Sequence, residues 1–411
     1  MRTTNVFARV SNVLIMDRRK FIKHSSLASS LFFVPSFVKA FSGYITAETG
    51  YKRLVILQLS GGNDGLNTIV PFRNDEYYRA RPTLALKKED LMALDNDLGM
   101  HKSLLPLKKL YDKGFVSIIN NVGYPNPNRS HFRATDIWQT ASSSNQYLQS
   151  GWIGRYVDQF ATAPYTALEL DHSLSLALKG ETQNGLAVQN AHTFYKITQD
   201  PYLKNIASYQ EEAHLSEHNL GYLYKTMIDA ESSAKYIYET SKTVSTSVNY
   251  PNNSFSKQLK TTAQFINSGL KTRVYYGSLN GFDTHVHQEN THKKLLKTYA
   301  EGIHAFVKDL QSKDTFNDTL ILTFSEFGRR VKQNSGHGTD HGSANALFVI
   351  GGNLKKPGIY NNLASLSDLD DNGDLKFEID FRTIYATVLN KWLDVNHEAV
   401  LFKNYKQLDF I

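Results

Sequence analysis

Leu54-Val-Ile-Leu-Gln-Leu59, closed by Ser60-Gly-Gly-Asn-Asp-Gly65, decides the class of fold. A short, mostly apolar run reads as a strand buried on both faces, and the Ser/Gly/Asn/Asp cluster after it reads as a tight loop. The pattern recurs along the chain. Phe115-Val-Ser-Ile-Ile119 follows a helical period over 104–111, and Thr319-Leu-Ile-Leu-Thr-Phe324 follows another over about 293–311. Ala346-Leu-Phe-Val-Ile350 precedes Gly351-Gly352, and Arg273-Val-Tyr-Tyr276 makes a fifth run. Strands alternating with helices predict an α/β fold with a mostly parallel central sheet flanked by helices. From about 200 to 270 the chain turns polar and helical in period, clearest over 211–240. That stretch is expected to be a helical insertion, with 243–256 as its loop, in a single domain over 41–411. An amphipathic helix over 381–392 is expected to close the chain.

Composition narrows the function. The 411 residues are 41% hydrophobic and 21% charged, which is globular and not fibrous or disordered. The absence of cysteine excludes disulfide scaffolds, thiolate zinc, iron–sulfur clusters, thiol catalysis and lipoprotein anchoring. The net charge of +7 points at first to nucleic acid. However, the first 40 residues hold seven of the 46 Lys/Arg and only one of the 39 Asp/Glu. The remainder is almost neutral, leaves no basic stripe to neutralise phosphates, and predicts no nucleic-acid partner.

Those first 40 residues have the layout of an export signal. Met16-Asp-Arg-Arg-Lys-Phe-Ile-Lys23 precedes a moderately apolar stretch over 25–38, and Val38-Lys-Ala40 offers a cleavage site. The stretch is too short and serine-rich to span a bilayer of about 30 Å. The paired arginines resemble a twin-arginine signal, read by the twin-arginine export machinery. Residues 1–40 are therefore expected to be a signal peptide, with Met1 or Met16 as the start. The mature chain is expected to be periplasmic or secreted, with no stable membrane span.

In open parallel sheets, ligands sit beyond the carboxyl ends of the strands, and polar clusters fall at these places. Gly281-Phe-Asp-Thr-His-Val-His287 carries Asp283, His285 and His287, and Gly336-His-Gly-Thr-Asp-His-Gly342 carries Asp340 and His341. Mixed carboxylate and imidazole sets suit hard and borderline divalent metals. Read alone, each cluster is equally a solvated loop or a glycine-rich turn. Glu326, in Phe324-Ser-Glu-Phe-Gly-Arg329, is a carboxylate between aromatics that needs a partner, either Arg329 or a metal. Asp64 follows the first strand in a loop that lacks both the Walker and the dinucleotide-binding spacing. Ser130 begins a helical pattern, with Arg129 and Arg133 beside it. It reads either as a helix cap or as a hydroxyl at an anion-attracting helix start. Asp368-Leu-Asp-Asp-Asn-Gly-Asp374 opens like an EF-hand loop, but Ile379 holds the twelfth position, so it reads as an acidic turn.

Taken together, these stretches resemble a known family. Leu57-Gln-Leu-Ser-Gly-Gly-Asn-Asp-Gly-Leu-Asn-Thr68, Arg129-Ser-His-Phe132 with Trp138, Gly281-Phe-Asp-Thr-His285, and Phe324-Ser-Glu-Phe-Gly-Arg329 through Thr339-Asp-His-Gly342 are similar to the exported bacterial proteins of domain-of-unknown-function family 1501. That family is placed by similarity in the alkaline-phosphatase-like superfamily, alongside sulfatases. The resemblance implies an alkaline-phosphatase-like fold and a periplasmic metal-dependent hydrolase of small phosphate- or sulfate-type esters. It also implies one or two divalent ions: zinc, manganese, magnesium or calcium. The superfamily's chain order implies metal ligands at Asp64, Asp283, His285 or His287, Glu326, Asp340 and His341, with Ser130 as the nucleophile. The substrate anion would lie among Asn63, Arg129, His131 and Arg329. Glu326 departs from the Asp-His that many relatives carry, which leaves the number of ions open. Ser130 lacks the proline two places on that formylglycine sulfatases need, which favours phosphoesters. The alternative is a non-catalytic relative that binds a protein partner or a surface glycan.

Changing Arg18 and Arg19 together to lysine is expected to abolish export, as measured by the periplasmic fraction of the mature chain. Undiminished export would refute the twin-arginine route.

Overall fold

The computed structural model describes Glu48, residues 50–207 and residues 219–411. The signal peptide expected over 1–40 lies outside the described residues. The strands are β1 (Arg53–Ser60), β2 (Ile69–Val70), β3 (Leu91–Ala93), β4 (Gly99–His101), β5 (Val116–Gly123), β6 (Ala167–Glu169), β7 (Leu186–Ala187), β8 (Val274–Asn280), β9 (Thr319–Phe324), β10 (Asn345–Ile350), β11 (Gly358–Ile359) and β12 (Ile379–Asp380). Three short ones form a small sheet, β2-β4-β3. The others form the main sheet in the order β11-β5-β10-β9-β1-β8-β6-β7, with β12 also on β5. Every pairing in the main sheet is parallel except those of β10, which runs antiparallel to β5 and β9. The expected mixed α/β architecture with a mostly parallel sheet is thus present.

Strands buried on both faces need an apolar residue at every position, which explains the continuous runs. On β1, Leu54 and Ile56 join one apolar cluster while Val55, Leu57 and Leu59 join another. On one face, the Gln288–Gln311 helix buries Leu296, Tyr299, Ile303 and Phe306, and the Ser254–Asn267 helix buries Phe255, Leu259 and Ile266. On the other face, Trp138 of the His131–Thr140 helix stacks between Phe324 and Phe381, with ring centroids 4.6 and 4.2 Å away. The helix expected over 381–392 is α-helical only over Phe381–Thr387. Its last turn, Val388–Trp392, is π-helical, and Leu393 donates back to the Val388 carbonyl. Helices Pro201–Ala207, Asn219–Ser241 and Ser254–Asn267 occupy the polar stretch.

The reversal of β10 matters for the site. β1, β5, β8 and β9 all end at one edge of the sheet, and β10 begins there. Residues that follow four strands therefore meet residues that precede a fifth.

Glu169 ends β6 with 5% exposure and accepts the Ser175 backbone N–H at 2.6 Å. Burial outweighs that bond and pushes its carboxyl up to about 8. Its folded value lies above its unfolded one. The unfolded chain therefore releases this proton first, and stability falls as pH climbs from about 4.5 towards 8. Glu169→Gln is expected to flatten that fall and raise the urea midpoint above pH 7. A variant midpoint that drops with pH as steeply as the wild type's would contradict the assignment.

Candidate functional site

The site is assembled by loops that carry little regular hydrogen bonding of their own. β1 exits through Gly61 and Gly62 at φ of 118° and 77°, a region open to glycine. A Cβ on Gly61 would stand 2.4 Å from the Asp283 nitrogen, and one on Gly338 would stand 2.2 Å from the His285 carbonyl oxygen. The loops after β1 and β8 and before β10 therefore touch backbone to backbone. Arg329 ties them together from within. Its Nε donates to the Gly62 carbonyl and its Nη1 to that of Thr339, each at 2.7 Å. Its Nη2 reaches the carbonyls of Gly61 and Phe282 and, at 2.6 Å, Asp283 Oδ1.

Asp283 Oδ1 is the point on which three imidazoles converge. It lies 3.0 Å from His285 Nε2, 3.2 Å from His341 Nε2 and 3.3 Å from His131 Nε2. The Nε2 atoms of His285 and His341 are 2.8 Å apart. The rear nitrogen of each ring faces an acceptor. His341 Nδ1 donates to the Arg129 carbonyl at 2.7 Å. His131 Nδ1 lies 2.8 Å from Glu326 Oε1, and His285 Nδ1 lies 3.1 Å from Asp340 Oδ1. Protons on the three rear nitrogens leave three Nε2 lone pairs directed towards the centre. The buried Nε2 of His131 has no hydrogen-bond partner. Phe327 packs against the rings of His131 and His341, and the Asp283 side chain is 48% exposed, so the cluster opens to solvent.

Charge follows from these contacts. Burial raises the Asp283 carboxyl, but the bond and charge of Arg329 outweigh it and hold the group far below the usual carboxylate range. The bond to Glu326 raises the His131 imidazole, and burial lowers that of His341.

The donor set fits a divalent ion. The donors of His131, Asp283 and His341 lie within 4.8 Å of one another. Ligands around a tetrahedral ion with bonds of about 2.0–2.1 Å stand roughly 3.3 Å apart, close to the Asp283 separations. Imidazoles whose rear N–H is held by a carboxylate or carbonyl are the usual outer arrangement of such centres.

Asp283, His285 and His341, expected as ligands, come together. Glu326 and Asp340 stand one step behind, on the rear nitrogens of His131 and His285. Glu326 is buried and also accepts the Gly61 N–H at 2.8 Å. His287 faces elsewhere: its ring lies against that of His337, with centroids 6.4 Å apart. Asp64 is set apart as well. Its Oδ2 takes Arg81 Nη1 at 2.7 Å and Gln288 Nε2 at 2.5 Å, and its Oδ1 takes the Asn67 N–H. The buried Asp64 carboxylate is thus engaged by Arg81, Gln288 and the Asn67 N–H.

Of the residues expected beside the substrate, His131 instead points Nε2 into the cluster. The amide of Asn63 is engaged by Thr68 and His292, and Arg329 is committed to the loops. The Arg129 guanidinium pairs with Asp374 of the acidic turn, so only its carbonyl serves the site. Ser130 is exposed. It precedes the His131–Thr140 helix without a side-chain capping bond. Sequence reasoning missed Arg81, Gln288 and His292, because none of them lies inside the Asp/His clusters that marked the strand ends.

A family model described as protein of unknown function DUF1501 matches residues 117–410. None of the curated proteins matches the chain. Similar solved structures include a lipoteichoic acid synthase from Listeria monocytogenes, at 8% identity over 95% of this chain and 80% of that one, with a TM-score of 0.39. A protein in the alkaline phosphatase superfamily from Vibrio parahaemolyticus shares 10% identity over 85% of this chain and 72% of its own, with a TM-score of 0.35. A sulfatase from Pseudoalteromonas sp. shares 12% over 87% and 71%, with a TM-score of 0.37.

Arg329→Met keeps the bulk but leaves four loop carbonyls and Asp283 without their donor. It is expected to cost about 3–5 kcal/mol in urea unfolding. A loss below about 1 kcal/mol, the size of one ordinary hydrogen bond, would show that the loops hold without it.

Proposed function

The chain belongs to the DUF1501 family, and from that premise we propose that it is a metal-dependent hydrolase of small phosphate- or sulfate-type esters, acting after export. The observation behind this reading is the convergence of three Nε2 atoms and one carboxylate oxygen, with each imidazole fixed from behind. His131, Asp283, His285 and His341 would hold the ion, and the nitrogen-rich set favours zinc over manganese, magnesium or calcium. A bound ion supplies Lewis-acid polarisation of the ester's phosphoryl or sulfuryl oxygen.

The chain's own groups do the rest. Arg329 keeps Asp283 ionised, and Glu326, Asp340 and the Arg129 carbonyl hold the rear protons so that the imidazoles stay oriented. Ser130 stands between Arg129 and His131 in the chain, at the N-terminus of a ten-residue helix whose free N–H groups attract an anion. In the proposed reaction, Ser130 Oγ forms a bond to phosphorus or sulfur as the bond to the leaving oxygen breaks. The hydroxyl proton ends on the departing alcohol. Water then cleaves the seryl ester, releasing the anion and restoring Ser130. Among the described residues no helix is long and apolar enough to cross a membrane.

Ser130→Ala is expected to abolish turnover of aryl phosphates or aryl sulfates while leaving the melting temperature unchanged, since the hydroxyl makes no capping bond. A cap would instead cost about 1 kcal/mol and spare activity. Wild-type protein that is inert with zinc, manganese, magnesium and calcium alike would favour the non-catalytic binding reading.

A further inference from the structure

We propose that the centre holds a single ion, and that Arg81 is a built-in cation at Asp64, the acid the family resemblance would assign to a metal. The inference rests on the metal reading of the histidine cluster.

The Asp64 and Arg81 side chains are both fully buried, 2.7 Å apart. The guanidinium is anchored on every side: Nε donates to the Val331 carbonyl at 2.9 Å, and Nη1 and Nη2 donate to Asn67 Oδ1 and the Arg330 carbonyl, each at 2.8 Å. A guanidinium keeps its charge at any accessible pH. An ion arriving at Asp64 would have to expel this cation from its fixed contacts and leave it buried without a counter-charge.

The surroundings also present the wrong polarity to a metal. Thr284 and Thr339 both donate to Gln288 Oε1, which turns the amide's N–H groups towards Asp64. Asn63 Oδ1 already faces His292 Nε2 at 3.0 Å. The acceptors a second ion would need are occupied, and a donor points where that ion would sit. Arg81 also grips the two carbonyls that directly follow Arg329. These bonds hold the guanidinium in place whether or not an ion occupies the histidine cluster.

The test is a metal count. Full-length mature protein is equilibrated with excess zinc, freed of unbound ion by dialysis and analysed by mass spectrometry of the metal. One equivalent per chain is expected in the wild type and in Asp64→Asn, and almost none in Asp283→Asn combined with His341→Ala. Circular dichroism verifies that each variant is folded. Two equivalents in the wild type would overturn the proposal while leaving the hydrolase reading intact. So would loss of the ion from folded Asp64→Asn. No bound zinc in the wild type would overturn both. If Asp64→Asn does not fold, the wild-type count decides alone.

Discussion

Arg329 sits where three loops meet, and most of its donors go to main-chain oxygens. Those loops are rich in glycine and lack a ladder of their own, so ordering them costs more backbone entropy than most segments. A buried planar cation with five donors offsets that cost, because each unmade bond would strand a carbonyl away from water. Its charge needs an acid, and Asp283 meets that need at the mouth of the site. The same guanidinium thus fixes the loop geometry and the ionisation of the carboxylate on which the imidazoles converge. Arg81 repeats the device one layer deeper, with Asp64 as the acid.

The three imidazoles are similar in the sequence but not in their settings. His131 rests on a buried carboxylate, His285 on an exposed one and His341 on a neutral carbonyl. A buried anion behind a ring makes it a stronger electron donor than a carbonyl does. The ring that the resemblance gave to the substrate is therefore the one with the strongest support from behind. This gradation is set by where Glu326 and Asp340 fall in the loops.

The fold was legible because a sheet covered on both faces must be apolar at consecutive positions, and Leu54-Val-Ile-Leu-Gln-Leu59 says so without any partner in view. Strand direction is not encoded in such a run. The reversal of β10, which brings Asp340 and His341 to the common edge, could not be read from Ala346-Leu-Phe-Val-Ile350. At the site, Asp283, His285 and His341 stood out because acids and imidazoles were crowded among glycines. The separation of centre from support did not stand out, since it depends on which group reaches which atom. Tyr77-Tyr-Arg-Ala-Arg81 illustrates the limit. The Arg79 side chain is 69% exposed and that of Arg81 fully buried, yet the two arginines are chemically identical and two residues apart.

β1 lies at the heart of the main sheet, with Leu54 paired to Val274 on one side and to Leu320 on the other. Both neighbours are more than 200 residues downstream. During synthesis this segment emerges long before anything exists for it to pair with, and closing such long loops is slow. β1 can therefore be paired on both sides only after the ribosome has delivered β9, and a nascent chain arrested before that point lacks the contacts that make its first strand a core.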